Sequence, residues 1–110
     1  MSDPGMEKIK SAIEAADHIP AEKKAELLEL VSKIKPAISQ ASQTHPEHAQ
    51  SIAKLVDESA QTAARKDQSR EQLNKLLQKL KQSAEKFQAS HPDLVAFVTE
   101  YTGFLSALGI

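Results

Sequence analysis

Apolar residues recur along this chain at the alternating spacing of three and four positions that is typical of amphipathic helices. Two long stripes share the spacing four, three, four, three. Their positions are Leu27, Val31, Ile34, Ile38 and Ala41 in the first stripe, and Leu73, Leu77, Leu80, Ala84 and Phe87 in the second. Shorter patterns predict three more helices, at residues 6–16, after residue 46 and after residue 92. The sequence therefore predicts an all-α fold.

The boundaries of the predicted helices follow from prolines and cap residues. Pro20 suits the first turn of a helix over residues 20–43, where its missing N–H is not needed. The segment Thr44-His45-Pro46-Glu47 has the pattern of a capping box, in which the threonine hydroxyl and the glutamate carboxylate each accept from a backbone N–H. Ser90-His91-Pro92-Asp93 repeats this pattern.

Two boundaries stay open at this stage. Pro36 lies inside the second predicted helix, so we expect either a kink or a break after Lys35. Residues 65–69 are wholly polar, and Asp67 or Ser69 could cap a new helix there. Because neither glycine nor proline lies between Glu47 and His91, residues 46–89 could also form one long helix.

The chain overlays on itself when it is shifted by 46 residues. The two long stripes then coincide, and Thr44-His45-Pro46-Glu47 falls on Ser90-His91-Pro92-Asp93. We interpret the match as two αα-hairpin repeats, at about residues 20–64 and 66–110. One hairpin cannot cover its own apolar stripe, so we expect a bundle of four or five helices in a single domain over residues 6–110. Residues 1–5 are interpreted as a disordered leader or a cloning remnant.

The C-terminal region also resembles a known family. Its motifs are Glu85-Lys86-Phe87, His91-Pro92-Asp93-Leu94 and the closing Leu105-Ser106-Ala107-Leu108-Gly109-Ile110, and residues 20–38 look like the family's first helix. These features resemble the short bacterial proteins of domain-of-unknown-function family 4404. The resemblance covers about half of the chain. It implies a bacterial, cytoplasmic, helical protein, and it implies no activity and no catalytic residues.

Composition argues against catalysis and cofactors. The chain has no cysteine, which excludes disulfides and thiolate metal sites and fits a reducing compartment. His45 and His48 could join His18 or His91 around a metal, but His45 and His91 occupy equivalent places beside cap residues, which explains them structurally. The acidic residues lie among lysines on polar faces. We therefore predict no enzyme, no cofactor, no metal and no catalytic residue.

Charge is unevenly distributed, although the formal net charge is −1. Residues 65–86 carry seven basic and three acidic side chains. We interpret this excess as a solvated helix face rather than a nucleic-acid site, because the aromatic residues that stack on bases lie elsewhere.

The last predicted helix carries the clearest functional hint. It is apolar on more than one face, which is typical of a central core helix or of a helix that meets a partner. The candidate interaction residues are Val95, Phe97, Tyr101, Phe104 and Leu108. The predicted function is a structural or protein-interaction module, with a homodimer or another protein as partner. The alternative is a peripheral membrane protein, although contact with a membrane is the less favoured prediction.

Overall fold

The computed structural model describes residues 4–65 and 70–108, and the regular elements in those ranges are all α-helices. They are α1 (Pro4–Ala15), α2 (Ala21–Ser42), α3 (Pro46–Ala64), α4 (Arg70–Glu85) and α5 (Pro92–Ala107). The predicted all-α fold is confirmed. The predicted caps Asp67 and Ser69 and residues 1–3 lie outside the described residues, whereas residues 4 and 5, which we had assigned to the leader, belong to α1.

Helices α2 to α5 pack in a ring in chain order, and the ring closes because α5 also packs against α2. Short connections at residues 43–45 and 86–91 make the neighbouring helices antiparallel. The pair α2/α5 and the pair α3/α4 therefore lie on opposite sides of the bundle. α1 packs against α3 and α2 from outside the ring, so the predicted bundle is confirmed and has five helices.

The core consists of the residues that the sequence periodicity selects. All ten positions of the two long stripes are buried, and Leu27, Ile34 and Leu80 have no exposed surface. α3 contributes Ile52 and Val56 to the same cluster. Helical spacing alone was sufficient to identify these positions, because only one face of each helix can reach the bundle axis.

Two side chains hold α1 and its loop against the bundle. His18 Nε2 donates a hydrogen bond to the carbonyl oxygen of Ala63 at 2.9 Å, near the end of α3. Lys24 Nζ donates to the carbonyl oxygen of Glu14 at 2.9 Å. That carbonyl lies in the last turn of α1, where a cation is favoured by the helix dipole.

The predicted capping boxes are wrong. His45 and His91 are the N-cap residues of α3 and α5, and neither makes a side-chain cap hydrogen bond. Thr44 Oγ1 instead donates to the carbonyl oxygen of Ala41 at 3.3 Å. Pro46 and Pro92 occupy the first helical position, where no N–H is required. The N-cap position therefore falls on the histidine, one residue after Thr44 or Ser90.

The two His-Pro turns have nearly the same backbone geometry. His45 has φ −135° and ψ 69°, and His91 has φ −137° and ψ 67°. The N–H of His45 bonds to Ala41 O at 2.9 Å, and the N–H of His91 bonds to Phe87 O at 2.7 Å. These pairs are related by the 46-residue shift, and the duplication itself stays a prediction.

Pro36 does not break α2, which is continuous from Ala21 to Ser42. Ile34 and Ile38 are buried on either side of it, while Pro36 itself is exposed. Packing before and after the proline thus holds the helix together despite the lost backbone hydrogen bond. One ion pair also supports this segment, because Lys35 Nζ lies 2.9 Å from Asp57 Oδ1 of α3.

Candidate interaction surface

Tyr101 is not part of a surface, so its place among the predicted interaction residues is wrong. Its side chain has no exposed area. The hydroxyl lies 2.7 Å from Ser59 Oγ and 3.2 Å from the carbonyl oxygen of Val56. Burial raises the pKa of Tyr101 well above its usual range, the hydrogen bond with Ser59 lowers it, and the negative charge of Asp57 raises it. The position fits the core because the hydroxyl has hydrogen-bond partners there.

The other four predicted residues are half-buried and pack against the core. Phe97 and Phe104 are seven positions apart, so both lie on the flank of α5 that faces α2. Val95 lies on the other flank, toward α4, and Leu108 follows the last residue of α5. The structure thus brings Phe97 and Phe104 together on one flank and separates Val95 from them.

An open groove runs between α2 and α5, and we call it the acidic groove. It is lined by Glu26, Glu29, Leu30, Lys33, Glu100 and Phe104. Leu30 and Phe104 are half-buried, and Glu29 and Glu100 are exposed. Lys23 Nζ lies 5.8 Å from the centre of the Phe104 ring, within the range of a cation–π contact.

A second open groove runs between α3 and α4, and we call it the basic groove. Its charged and apolar lining residues are Lys54, Leu55, Glu58, Leu76, Lys79 and Lys86. Leu55 and Leu76 are half-buried, while the three lysines are exposed. This groove lies on the side of the bundle opposite the acidic groove, because α3 and α4 lie across the ring from α2 and α5.

The two grooves correspond to each other under the 46-residue shift. Leu30 falls on Leu76, and Lys33 falls on Lys79. The first helices differ, because Glu26 and Glu29 of α2 fall on Gln72 and Lys75 of α4, which do not line the basic groove. On the second helix, Lys54 in α3 stands in the place of Glu100 in α5. The same kind of groove is therefore present twice, with an excess of carboxylates on one side and of ammonium groups on the other.

A third feature is a cluster of aromatic rings where the two His-Pro turns meet. The rings of His45, His48 and His91 lie 5.5, 6.4 and 5.8 Å from the buried ring of Phe87, each in an edge-on arrangement. Thr44 Oγ1 lies 3.3 Å from His91 Nε2 and joins the two turns. Across residues 4–65 and 70–108, no group of three or more histidine and acidic side chains could hold a metal ion.

Comparison with known proteins adds no relative. No protein-family profile, no curated protein and no solved structure matches the chain. The resemblance to domain-of-unknown-function family 4404 stays a prediction. None of the helices in the described part of the chain is long and apolar enough to cross a membrane.

Sequence reasoning missed the residues on the first helix of each pair that complete the grooves. Leu30 was visible only as a widening of the apolar stripe, and Leu76 was not singled out. Lys54 is the single lysine or arginine of α3, and its significance appears only when α4 brings Lys79 alongside. The signal that could have found them is the 46-residue shift, applied to the polar positions as well as to the apolar ones.

Proposed function

We propose that the chain is a non-catalytic structural module that associates with further copies of itself through the acidic groove. The observation that carries this proposal is the half-exposed pair Leu30 and Phe104, framed by the carboxylates of Glu26, Glu29 and Glu100. Full burial of a large apolar side chain contributes about 1.5–3 kcal/mol. Covering Leu30 and Phe104 would therefore release part of that free energy, which the isolated chain does not gain.

The size of the molecule is compatible with such an interface. Its exposed surface is 6548 Å², and a specific interface covers about 800 Å² on each partner. The aromatic ring at the centre and the charged rim also match the usual composition of an interface, in which apolar anchors are surrounded by polar groups.

Attachment to a lipid surface fits this groove less well. The cytoplasmic face of a membrane is negatively charged and attracts lysine-rich segments. The rim of the acidic groove has three carboxylates and two ammonium groups, those of Lys33 and Lys23, and α5 contains no lysine or arginine. The electrostatic interaction with anionic lipid would therefore be repulsive at this surface.

Light scattering across a concentration series tests the proposal. We expect the apparent mass of the wild-type chain to rise between about 1 μM and about 1 mM, the range of weak protein–protein affinity. Phe104→Asp should keep the chain monomeric, because it places another carboxylate among those of the rim. Ser106→Asp adds the same charge at an exposed position of α5 outside the groove, and it should associate like the wild type.

Two further measurements guard the interpretation. Because Phe104 also packs on the core, circular dichroism must show a folded variant, and Glu26→Ala alters the exposed rim without removing core packing. A wild-type chain that is monomeric throughout the series would contradict the proposal. Co-sedimentation with phosphatidylserine vesicles that Phe97→Asp abolishes would assign the surface to lipid instead.

A further inference from the structure

We infer that the acidic groove of one copy binds the basic groove of the next, so that copies associate head to tail. This inference rests on the proposed function and names the partner surface. The observation behind it is that one molecule carries two matching grooves of opposite charge on opposite sides of a four-helix ring.

The charges of the two grooves are opposite in sign. The acidic groove has three carboxylates against the ammonium groups of Lys33, which lines it, and Lys23, which lies over the Phe104 ring, a formal sum of −1. The basic groove has three ammonium groups, those of Lys54, Lys79 and Lys86, against the carboxylate of Glu58, a formal sum of +2. Such complementarity accelerates encounter and fixes the register of two surfaces.

The apolar parts of the two grooves also complement each other. The acidic groove offers the half-buried ring of Phe104 beside Leu30. The basic groove has Leu55 and Leu76 in its lining but no aromatic residue, and Glu58 stands where the shift would place Phe104. An aromatic side chain from one copy can therefore cover the two leucines of the next, while the lysines around them meet the carboxylate rim.

A symmetric dimer through two acidic grooves is electrostatically unfavourable. Such a dimer would bring Glu26, Glu29 and Glu100 of both copies to one interface, and like charges across an interface oppose binding. Two basic grooves would meet the same obstacle through their lysines. The contact between unlike grooves is the one that brings the excess of carboxylates against the excess of ammonium groups.

Head-to-tail contact has a consequence for the assembly. Each copy contributes its acidic groove to one contact and its basic groove, on the opposite side, to another. The contact is therefore heterologous, and two copies do not form a closed assembly. We expect species larger than a dimer to accumulate as the concentration rises. Association should also weaken when salt is raised from about 50 mM to about 500 mM, because the charges involved are exposed and are screened.

Charge reversal on each groove tests the inference. Glu29 and Lys79 are exposed, and neither is part of the core. Glu29→Lys reverses a charge in the acidic groove only, and Lys79→Glu reverses a charge in the basic groove only. Each variant alone should associate at least about tenfold more weakly than the wild type, since each replaces an attraction with a repulsion. Lys10→Glu, an exposed reversal on α1 away from both grooves, should behave like the wild type.

The decisive measurement is the equimolar mixture of Glu29→Lys and Lys79→Glu in sedimentation velocity. The mixture should regain association, because the intact basic groove of the first variant meets the intact acidic groove of the second. If the chain instead formed a symmetric dimer through the acidic grooves, Lys79→Glu would not weaken association, and mixing the two variants would not strengthen it.

Each outcome decides between the two proposals. Association that is abolished by Phe104→Asp but unaffected by Lys79→Glu would overturn the head-to-tail contact and leave the proposed function standing. A wild-type assembly that stops at two copies would also overturn it. A wild-type chain that is monomeric at every concentration would instead overturn the proposed function, and the inference with it.

Discussion

Replacing Tyr101 with phenylalanine removes one buried hydroxyl and leaves the ring in the core. The hydroxyl lies within hydrogen-bond distance of Ser59 Oγ and of the carbonyl oxygen of Val56. Ser59 Oγ also donates to that carbonyl, at 3.0 Å. After the substitution, Ser59 Oγ can still donate its hydrogen bond to the Val56 carbonyl oxygen. Neither of these two buried polar groups is therefore left without a partner. The cost at neutral pH should therefore be about 1 kcal/mol, the net value of one hydrogen bond.

The same substitution should change how stability depends on pH. Burial raises the pKa of Tyr101 above its usual value, so the folded chain retains the phenolic proton at a pH where the unfolded chain has lost it. The unfolded state then binds fewer protons, and stability falls as pH rises above about 10, by about 1.4 kcal/mol per pH unit. Tyr101→Phe lacks this pH-dependent loss. The difference in free energy of unfolding between wild type and variant should therefore disappear at about pH 11.

Urea unfolding followed by circular dichroism measures both effects, with wild type and variant compared at each pH. Deprotonation of lysines affects the two proteins equally and cancels in the difference. Tyr101 is the single tyrosine of the chain, so ultraviolet absorbance of the phenolate reports on it alone. If the native wild-type chain titrates like free tyrosine, or if the two proteins lose stability equally above pH 10, the hydroxyl is not buried as described.

Two further predictions concern the core and α2. Leu77→Ala should destabilise the fold by about 2–5 kcal/mol, because it leaves a cavity at a buried position of the α4 stripe. The neighbouring Leu76→Ala, at a half-buried position, should cost less. Thermal or urea unfolding compares the two variants, and an equal loss of stability would contradict the assigned helix face. Pro36→Ala should stabilise the chain by about 1–3 kcal/mol, because it restores a backbone N–H at an exposed position of a continuous helix. Thermal or urea unfolding measures the change, and a loss of stability would mean that the proline ring contributes packing.

The sequence was sufficient to predict which helices form and which face of each is buried. Leu27, Ile34, Leu73 and Leu80 were predicted to point inward, and each is at most 1% exposed. Periodicity succeeds here because a helix of fixed pitch presents one stripe to its neighbours. The number of helices was left at four or five, since the polar segment at residues 65–69 gives no glycine or proline signal.

Features that depend on a neighbouring helix were not predictable in the same way. A break at Pro36 was one of two expectations for α2, because local propensity carries no information about the packing of Ile34 and Ile38 on either side. The helix is continuous there, and the kink stays a prediction. Tyr101 lies on the apolar stripe of α5, but the sequence does not show that Ser59 and the Val56 carbonyl lie opposite it. The grooves also needed the fold, since each is formed by two helices, and the basic excess at residues 65–86 does not by itself show which side chains of α3 lie beside it.

The distribution of charge supports association more strongly than the net charge alone. The formal net charge is −1, so two copies approaching each other experience little long-range repulsion, a condition that favours association. The sums of −1 and +2 at the two grooves then act locally, at distances within the Debye length of about 8 Å at physiological salt. A chain with the same net charge but evenly mixed groove charges would lack this preference for one relative orientation. Glu29→Lys changes an exposed side chain outside the core, at the cost of a solvent-exposed ion pair with Lys33. It should remove that preference at one groove, which is why charge reversal discriminates head-to-tail contact from nonspecific association.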